Sequence, residues 1–154
     1  MKITYKGDYA LKALLQLALR YSGEEGEVVS INEIAKDGDM PTKFLEQILL
    51  VLRKGGFVKA KRGVNGGFYL AKPPADIRIG EVVRFIEGPI EPISCAGEDC
   101  YKGCKDIASC IFRDIWKEVG MAISLVVDTI TFDDLVIKHK EKTLNLSPVF
   151  NYSI

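Results

Sequence analysis

The chain has 154 residues, 47% of them apolar, and its 21 basic side chains balance 21 acidic ones. This length predicts about one domain. The sequence contains neither a basic leader followed by an apolar stretch nor an apolar run of about eighteen residues, which argues against secretion and membrane insertion. We therefore expect a cytosolic protein.

The first half of the chain contains three predicted helices. Apolar residues recur at helical spacing behind Asp8, which predicts a helix from about Tyr9 to Tyr21 with Asp8 as its N-cap. Ser30 and Glu33 form a capping box, which predicts the start of a second, short helix. Pro41 favours the first turn of a third, longer helix. A short helix, a glycine-containing turn and a longer helix with a polar outer face are typical of a helix-turn-helix.

A β-hairpin is predicted directly after the third helix. Two short alternating segments flank the Asn65-Gly66 pair, which favours a tight turn between strands. In this position a hairpin is the wing of a winged helix-turn-helix, and it suits contact with phosphates and with the minor groove. The wing residues that we expect to contact DNA are Lys59, Lys61, Arg62 and Asn65. Together with Arg53 and Lys54, the three basic wing residues lie within ten residues that contain no acid; a solvated basic face is the alternative.

The second half of the chain is predicted to contain a long apolar-striped helix. A short linking helix is expected over residues 77–86, followed by a loop over residues 88–110. Isoleucines and valines recur every three or four positions over residues 107–130, which predicts a helix of 24 residues. Its apolar stripe is longer than a small head can cover, so we expect a second copy of the helix to pack on it. The alternative is a helix buried within its own domain.

These elements divide the chain into four parts. Residues 1–87 are expected to form the winged head with its linking helix, residues 88–110 a cysteine-rich loop, and residues 107–130 the dimerisation helix. Residues 131–154 are expected to form a short helix, capped by Thr131 and the acids after it, and a polar tail that frays from about Lys138. The predicted fold class is mainly α with a small β-wing.

All four cysteines fall within sixteen residues, at the spacing C-x4-C-x3-C-x5-C: Cys95, Cys100, Cys104 and Cys110. In a reducing compartment this clustering favours metal ligands over disulfides, with a redox-active thiol pair as the alternative. The spacing lacks the C-x-x-C pairs of zinc knuckles, and the glycine-containing, acidic loop can wrap a larger object. An iron–sulfur cluster therefore fits better than a single zinc ion.

A metal site joined to a DNA-binding head predicts a metal-sensing transcriptional regulator. No nucleophile and base converge in the sequence and no glycine-rich phosphate loop is present, so we do not expect an enzyme. A cluster-carrying electron-transfer protein is the alternative from another class, but it leaves the basic wing without a role. A zinc ion that only braces the loop is a further alternative.

Several motifs resemble those of the winged-helix iron–sulfur regulators, the family of the cluster-biogenesis regulator IscR, the nitric-oxide sensor NsrR and the cysteine-metabolism regulator CymR. The resemblance extends from Met1 to about Leu135. Its most specific parts are the opening KGDYA at residues 6–10, the run FLEQIL at residues 44–49 and the wing RGVNGGFYL at residues 62–70. It implies a homodimer whose long helices cross, a palindromic operator, and iron–sulfur assembly genes as targets; nitric-oxide or redox sensing is the alternative.

The resemblance also implies roles for residues of the recognition helix and the wing. In IscR-like members, the positions that match Thr42, Lys43, Glu46 and Gln47 face bases or phosphates, and the position that matches Arg62 enters the minor groove. The chemistry agrees, because Glu46 can accept a hydrogen bond from cytosine N4 and Gln47 can pair with adenine N6 and N7. The alternative is that Glu46 and Gln47 are ordinary helix-favouring surface residues.

For the cofactor, the resemblance favours a 2Fe–2S cluster over a 4Fe–4S cluster. Cys95 and Cys110 match the first and last cysteines of the family, while Cys100 and Cys104 compete for the middle position. The histidine that IscR-like members place three residues after the last cysteine is replaced by Arg113, which cannot act as a ligand.

The fourth ligand implied by the resemblance is either the extra cysteine or an oxygen. Asp8 is the candidate for that oxygen, because NsrR-like members use an aspartate at this position, reaching across the dimer. Its predicted role as a helix N-cap is the alternative explanation for Asp8.

Overall fold

A computed structural model of the chain describes residues 2–23, 27–97 and 104–146. The α-helices of these segments are α1 (Tyr5–Leu19), α2 (Ile31–Asp37), α3 (Thr42–Lys54), α4 (Ile79–Glu87), α5 (Ile111–Thr129) and α6 (Phe132–Leu146). Strands β1 (Val58–Lys61) and β2 (Gly67–Leu70) lie between α3 and α4, and single 3₁₀ turns occur at Pro74–Asp76 and Ser94–Ala96. No helix in the described segments is long and apolar enough to cross a membrane.

Helix α1 begins before the predicted start, and its N-cap is Thr4. The Thr4 hydroxyl accepts a hydrogen bond from the Gly7 N–H at 3.4 Å. Asp8 therefore lies inside the helix, where it forms an ion pair with Lys12 at 2.9 Å. The prediction that Asp8 caps the helix is wrong, because Glu87 binds both the N–H and the hydroxyl of Thr4 and fixes the helix start there.

Helices α2 and α3 form the helix-turn-helix. The predicted capping box is confirmed, since the Glu33 N–H donates to Ser30 Oγ at 3.3 Å and the Ser30 N–H donates to Glu33 Oε2 at 2.9 Å. Pro41 occupies the N-cap position of α3 rather than its first turn. The inner face of α3 lies in the core against α1 and α2 and consists of Leu45, Ile48, Leu49 and Leu52.

Strands β1 and β2 form the predicted hairpin, in a register that pairs Val58 with Leu70 and Lys61 with Gly67. The tip is a turn closed by a 2.9 Å hydrogen bond from the Gly66 N–H to Gly63 O, so Asn65 and Gly66 are not its two central residues. Val29 adds a third strand segment by exchanging two backbone hydrogen bonds with Phe68. A side chain at Gly67 would place its Cβ 2.2 Å from Val29 O, so this close approach requires glycine.

The C-terminal helices return to the head. The Phe132 N–H donates to Ile77 O at 2.9 Å and the Ile79 N–H donates to Ile130 O at 3.1 Å, which joins the start of α4 to the link between α5 and α6. Helix α5 starts at Ile111 instead of residue 107. Helix α6 is capped by Thr131 as predicted. It is longer than predicted, because it runs for 15 residues to Leu146, past Lys138, where the polar tail was expected to begin. Its first residue, Phe132, is fully buried, and the helix packs on α1.

Candidate nucleic-acid interface and cysteine site

The solvent-facing side of α3 carries all four predicted recognition-helix residues: Thr42, Lys43, Glu46 and Gln47. Their spacing puts them on the face opposite the buried leucines and isoleucine of this helix. In the described segments, none of their four side chains has a hydrogen bond or an ion pair. The face is therefore free to bind an external partner.

The wing presents its basic side chains to solvent. Its exposed polar residues are Lys59, Lys61, Arg62 and Asn65, while Val58 of β1 points into the core. Gly63 adopts a φ of 112° at the start of the tip turn, a conformation that L side chains rarely adopt. No carboxylate of the described residues pairs with the three basic side chains. Their positive charge is therefore available to phosphates.

Cys104 and Cys110 precede α5 and Cys95 lies near its first turn, whereas Cys100 is outside the described residues. Cys95 and Cys110 are half-buried, and Cys104 is exposed. The Arg113 side chain donates from Nε to Cys95 O at 2.7 Å, and the Arg113 N–H donates to Cys110 O at 3.1 Å. One residue thus binds the main-chain carbonyls of both the first and the last cysteine of the motif.

The donor chemistry of this region fits a cofactor that is held by thiolates, since soft thiolates select iron–sulfur clusters or zinc. Within residues 2–23, 27–97 and 104–146, no three His, Cys, Asp or Glu side chains converge on a point that could hold a metal ion. Asp8 is therefore not brought together with the cysteines within one chain. Asp8 is paired with Lys12 instead. The hydrogen bond between them is the main cause of the raised pKa of the Lys12 ammonium.

Helix α5 exposes most of its large apolar side chains to solvent. Gly120 is its only buried residue among those that the structure describes. Its large exposed apolar side chains are Ile111, Phe112, Ile115, Trp116, Val119, Met121, Leu125 and Val126, and Leu125 is 69% exposed. A surface of this kind usually marks an interaction site.

The family of the chain is established by comparison. The family described as "Rrf2: Iron-dependent Transcriptional regulator" matches residues 3–138. The chain belongs to the Rrf2 family. An rrf2-like helix-turn-helix regulator of Rhodobacter capsulatus is 42% identical over 87% of this chain and 91% of its own length. CymR of Bacillus subtilis, a global cysteine regulator, has a solved structure that is 30% identical, with a TM-score of 0.73 over 90% of this chain and 98% of that one.

An IscR is also similar to this chain in structure. The T. potens IscR structure is 29% identical, with a TM-score of 0.73 over 99% of this chain and 97% of that one. These matches confirm the predicted winged helix-turn-helix fold. They make this Rrf2 chain a DNA-binding transcriptional regulator, and its relatives are regulators rather than enzymes.

In this Rrf2 regulator, α4 is clamped to the end of α5 by contacts that sequence reasoning missed. Arg84 binds both carboxylate oxygens of Asp128, at 2.6 and 2.8 Å, and Ser124 Oγ at 3.1 Å, while Arg78 donates to Asp128 O at 2.6 Å. The hydrogen bonds from Arg84 are the main cause of a lowered Asp128 pKa. No local sequence signal indicates this clamp, because its partners are 40 to 50 residues apart.

Proposed function

We propose that this Rrf2 regulator is a homodimer that senses iron–sulfur cluster status through its cysteine loop and controls genes of iron–sulfur assembly. The observation that carries the proposal is that Arg113 joins the half-buried Cys95 and Cys110 at the first turn of α5. The family description as iron-dependent supports it. In this proposal residues 1–87 bind DNA, residues 88–110 hold the cluster, residues 107–130 form the dimer, and residues 131–154 form the final helix and tail.

The proposed DNA contacts come from α3 and the wing. Thr42, Lys43, Glu46 and Gln47 enter the major groove, and Lys59, Lys61, Arg62 and Asn65 bind phosphates and the minor groove. The exposure of all eight residues supports these roles. Glu46 and Gln47 read bases, whereas the lysines position the head on the backbone.

The proposed dimer forms through α5. A second copy would cover the exposed apolar surface of this helix, and a two-fold axis would place the two heads on a palindromic operator. We expect a dimer by sedimentation equilibrium and a monomer for Leu125→Arg, because the arginine places a charge on this surface. A monomeric unmodified protein at micromolar concentration would contradict this part of the proposal.

The proposed cluster ligands are the thiols of Cys95, Cys100, Cys104 and Cys110, with Asp8 as the candidate if one ligand is an oxygen. The ion pair with Lys12 accounts for Asp8 without a cluster, so this aspartate is the weaker part of the set. A bound 2Fe–2S cluster would supply a redox-active centre whose loss or oxidation is the signal. The cluster would shift the two heads between two arrangements that differ in operator affinity. A useful response requires the free energies of cluster binding to these two arrangements to differ by about 1–3 kcal/mol.

The test is anaerobic purification, with absorption and electron paramagnetic resonance spectra and with iron, sulfide and zinc analysis. We expect a coloured protein with equal iron and sulfide, loss of the colour in Cys110→Ala, and operator affinity that differs between the loaded and cluster-free forms. A colourless zinc protein would refute the cluster proposal but leave the DNA-binding regulator intact. A fully coloured Cys110→Ala variant would refute the ligand assignment alone.

A thiol switch is the second candidate, favoured by the exposure of Cys104. A relative, CymR of Staphylococcus aureus, has a structure described as its oxidized form. This candidate predicts that metal-free protein changes its operator affinity on mild oxidation and regains it with a reductant. Unchanged affinity after oxidation would exclude it.

A further inference from the structure

The segment before the cysteines lies along α5 and is held at both ends. Near the middle of the helix, a Cβ at Gly120 would lie 3.3 Å from Pro92 Cδ and 3.5 Å from Ile90 O, so the segment passes close to the helix there. Near the start of the helix, Arg113 holds the 3₁₀ turn Ser94–Ala96 through Cys95 O. The segment therefore ends with Cys95 at the turn of helix that follows Cys110.

Arg113 makes this link with both its main chain and its side chain. Its N–H binds Cys110 O at 3.1 Å within the first turn of α5, and its Nε binds Cys95 O at 2.7 Å across the loop. No carboxylate in the described part of the chain competes for the guanidinium, in contrast to Arg84, which is bound to Asp128. The loop carbonyl is thus the partner that orients Arg113.

We propose that Arg113 is a positioning residue that presents the thiols of Cys95 and Cys110 together, as one bidentate soft-metal site. The planar guanidinium offers an Nε donor in a fixed direction, which a lysine ammonium does not. Groups that orient metal ligands commonly raise metal affinity by about 10–100-fold. This inference rests on the proposed function for the metal centre that the pair serves, and its test is chosen so that the two can fail separately.

The test uses the full chain with Cys100→Ser and Cys104→Ser, reduced and free of metal, titrated with phenylarsine oxide. This reagent bridges two neighbouring thiols: two As–S bonds form, the oxygen leaves as water, and no electron is transferred. We expect one equivalent to bind tightly. We expect Arg113→Ala to weaken binding about 10–100-fold, and Arg113→Lys to weaken it similarly because the Nε hydrogen bond is lost.

The matched control is Lys117→Ala, which removes a positive charge one turn further along α5 from the cavity that Arg113 and Lys117 both line. We expect this control to bind the arsenical as the parent does. Circular dichroism and the thermal midpoint identify any variant that fails to fold. If Arg113→Ala does not fold, the arsenical binding of Arg113→Lys is compared with that of the parent. Unchanged binding in a folded Arg113 variant, or no binding by the parent double variant, would overturn the inference.

The two proposals have separate outcomes. The arsenical reports the thiol pair without iron, so a colourless wild-type protein would remove the cluster proposal and leave the pairing by Arg113 standing. If wild-type protein binds an iron–sulfur cluster but its arsenical binding does not depend on Arg113, the pairing by Arg113 is removed and the cluster proposal stands.

Discussion

Glu87 is expected to connect the cysteine loop to the DNA-binding head. It is the last residue of α4, directly before the loop, and its Oε1 accepts hydrogen bonds from the Thr4 N–H at 2.9 Å and the Thr4 hydroxyl at 2.7 Å. Thr4 caps α1, which packs on the recognition helix. The carboxylate also lies at the positive end of α1. Removing it should therefore loosen the start of α1.

The expected loss for Glu87→Ala is modest, because the contact is exposed to solvent. A hydrogen bond to a charged group contributes about 1.5–3 kcal/mol where water is excluded, but exposed charged pairs contribute about 0–1 kcal/mol. We expect about 1 kcal/mol, which corresponds to a fall in Tm of about 2–4 °C for a chain of this size. Calorimetry at fixed protein concentration measures it.

A double-mutant cycle with Thr4→Ala is the decisive control. If the two residues interact as the distances indicate, the double variant loses less stability than the sum of the single losses, with a coupling of about 0.5 kcal/mol or more. Strict additivity would refute the link. We also expect Glu87→Ala to reduce the difference in operator affinity between loaded and cluster-free protein while leaving the cluster spectrum unchanged.

Three further predictions concern the wing, the clamp and the core. Arg62→Ala should weaken operator binding and reduce the salt slope of that binding by about one. Lys72→Ala should change neither, because Lys72 is already paired with Glu81. Equal effects of the two variants in a filter-binding assay would mean that Arg62 makes no specific contact with the operator. Because the Asp128 pKa is lowered in the folded protein, the clamp stabilises the fold fully above the ordinary carboxyl pKa and is lost as the pH falls through the lower value. Urea unfolding of Asp128→Asn should lack that acid-dependent loss, and a profile identical to the parent's would contradict it. Phe132→Ala should cost about 3–5 kcal/mol in the same assay, because Phe132 is fully buried, and a loss under 1 kcal/mol would mean that α6 is not docked as described.

Sequence alone predicted the elements whose signals are local. The capping box of Ser30 and Glu33 is contained in four residues, and the apolar spacing of α3 identified its buried face and, by exclusion, its exposed recognition face. The hairpin of the wing was found in the same way. Local hydrogen bonding and side-chain periodicity decide such features, and both can be read from neighbouring residues.

Tertiary contacts decided the rest. The start of α1 depends on the contact between Glu87 and Thr4, which are 83 residues apart. Because the helix therefore starts before Asp8, this aspartate forms an ion pair with Lys12 and does not cap the helix. The docking of the start of α6 depends on burial of Phe132 in the core, and the contact between Cys95 and the first turn of α5 depends on the direction of the Arg113 side chain. The sequence by itself determined which residues could form helices, a wing and a thiol site. Which of them meet was decided by packing, because contacts between distant segments form only when the whole core is buried together.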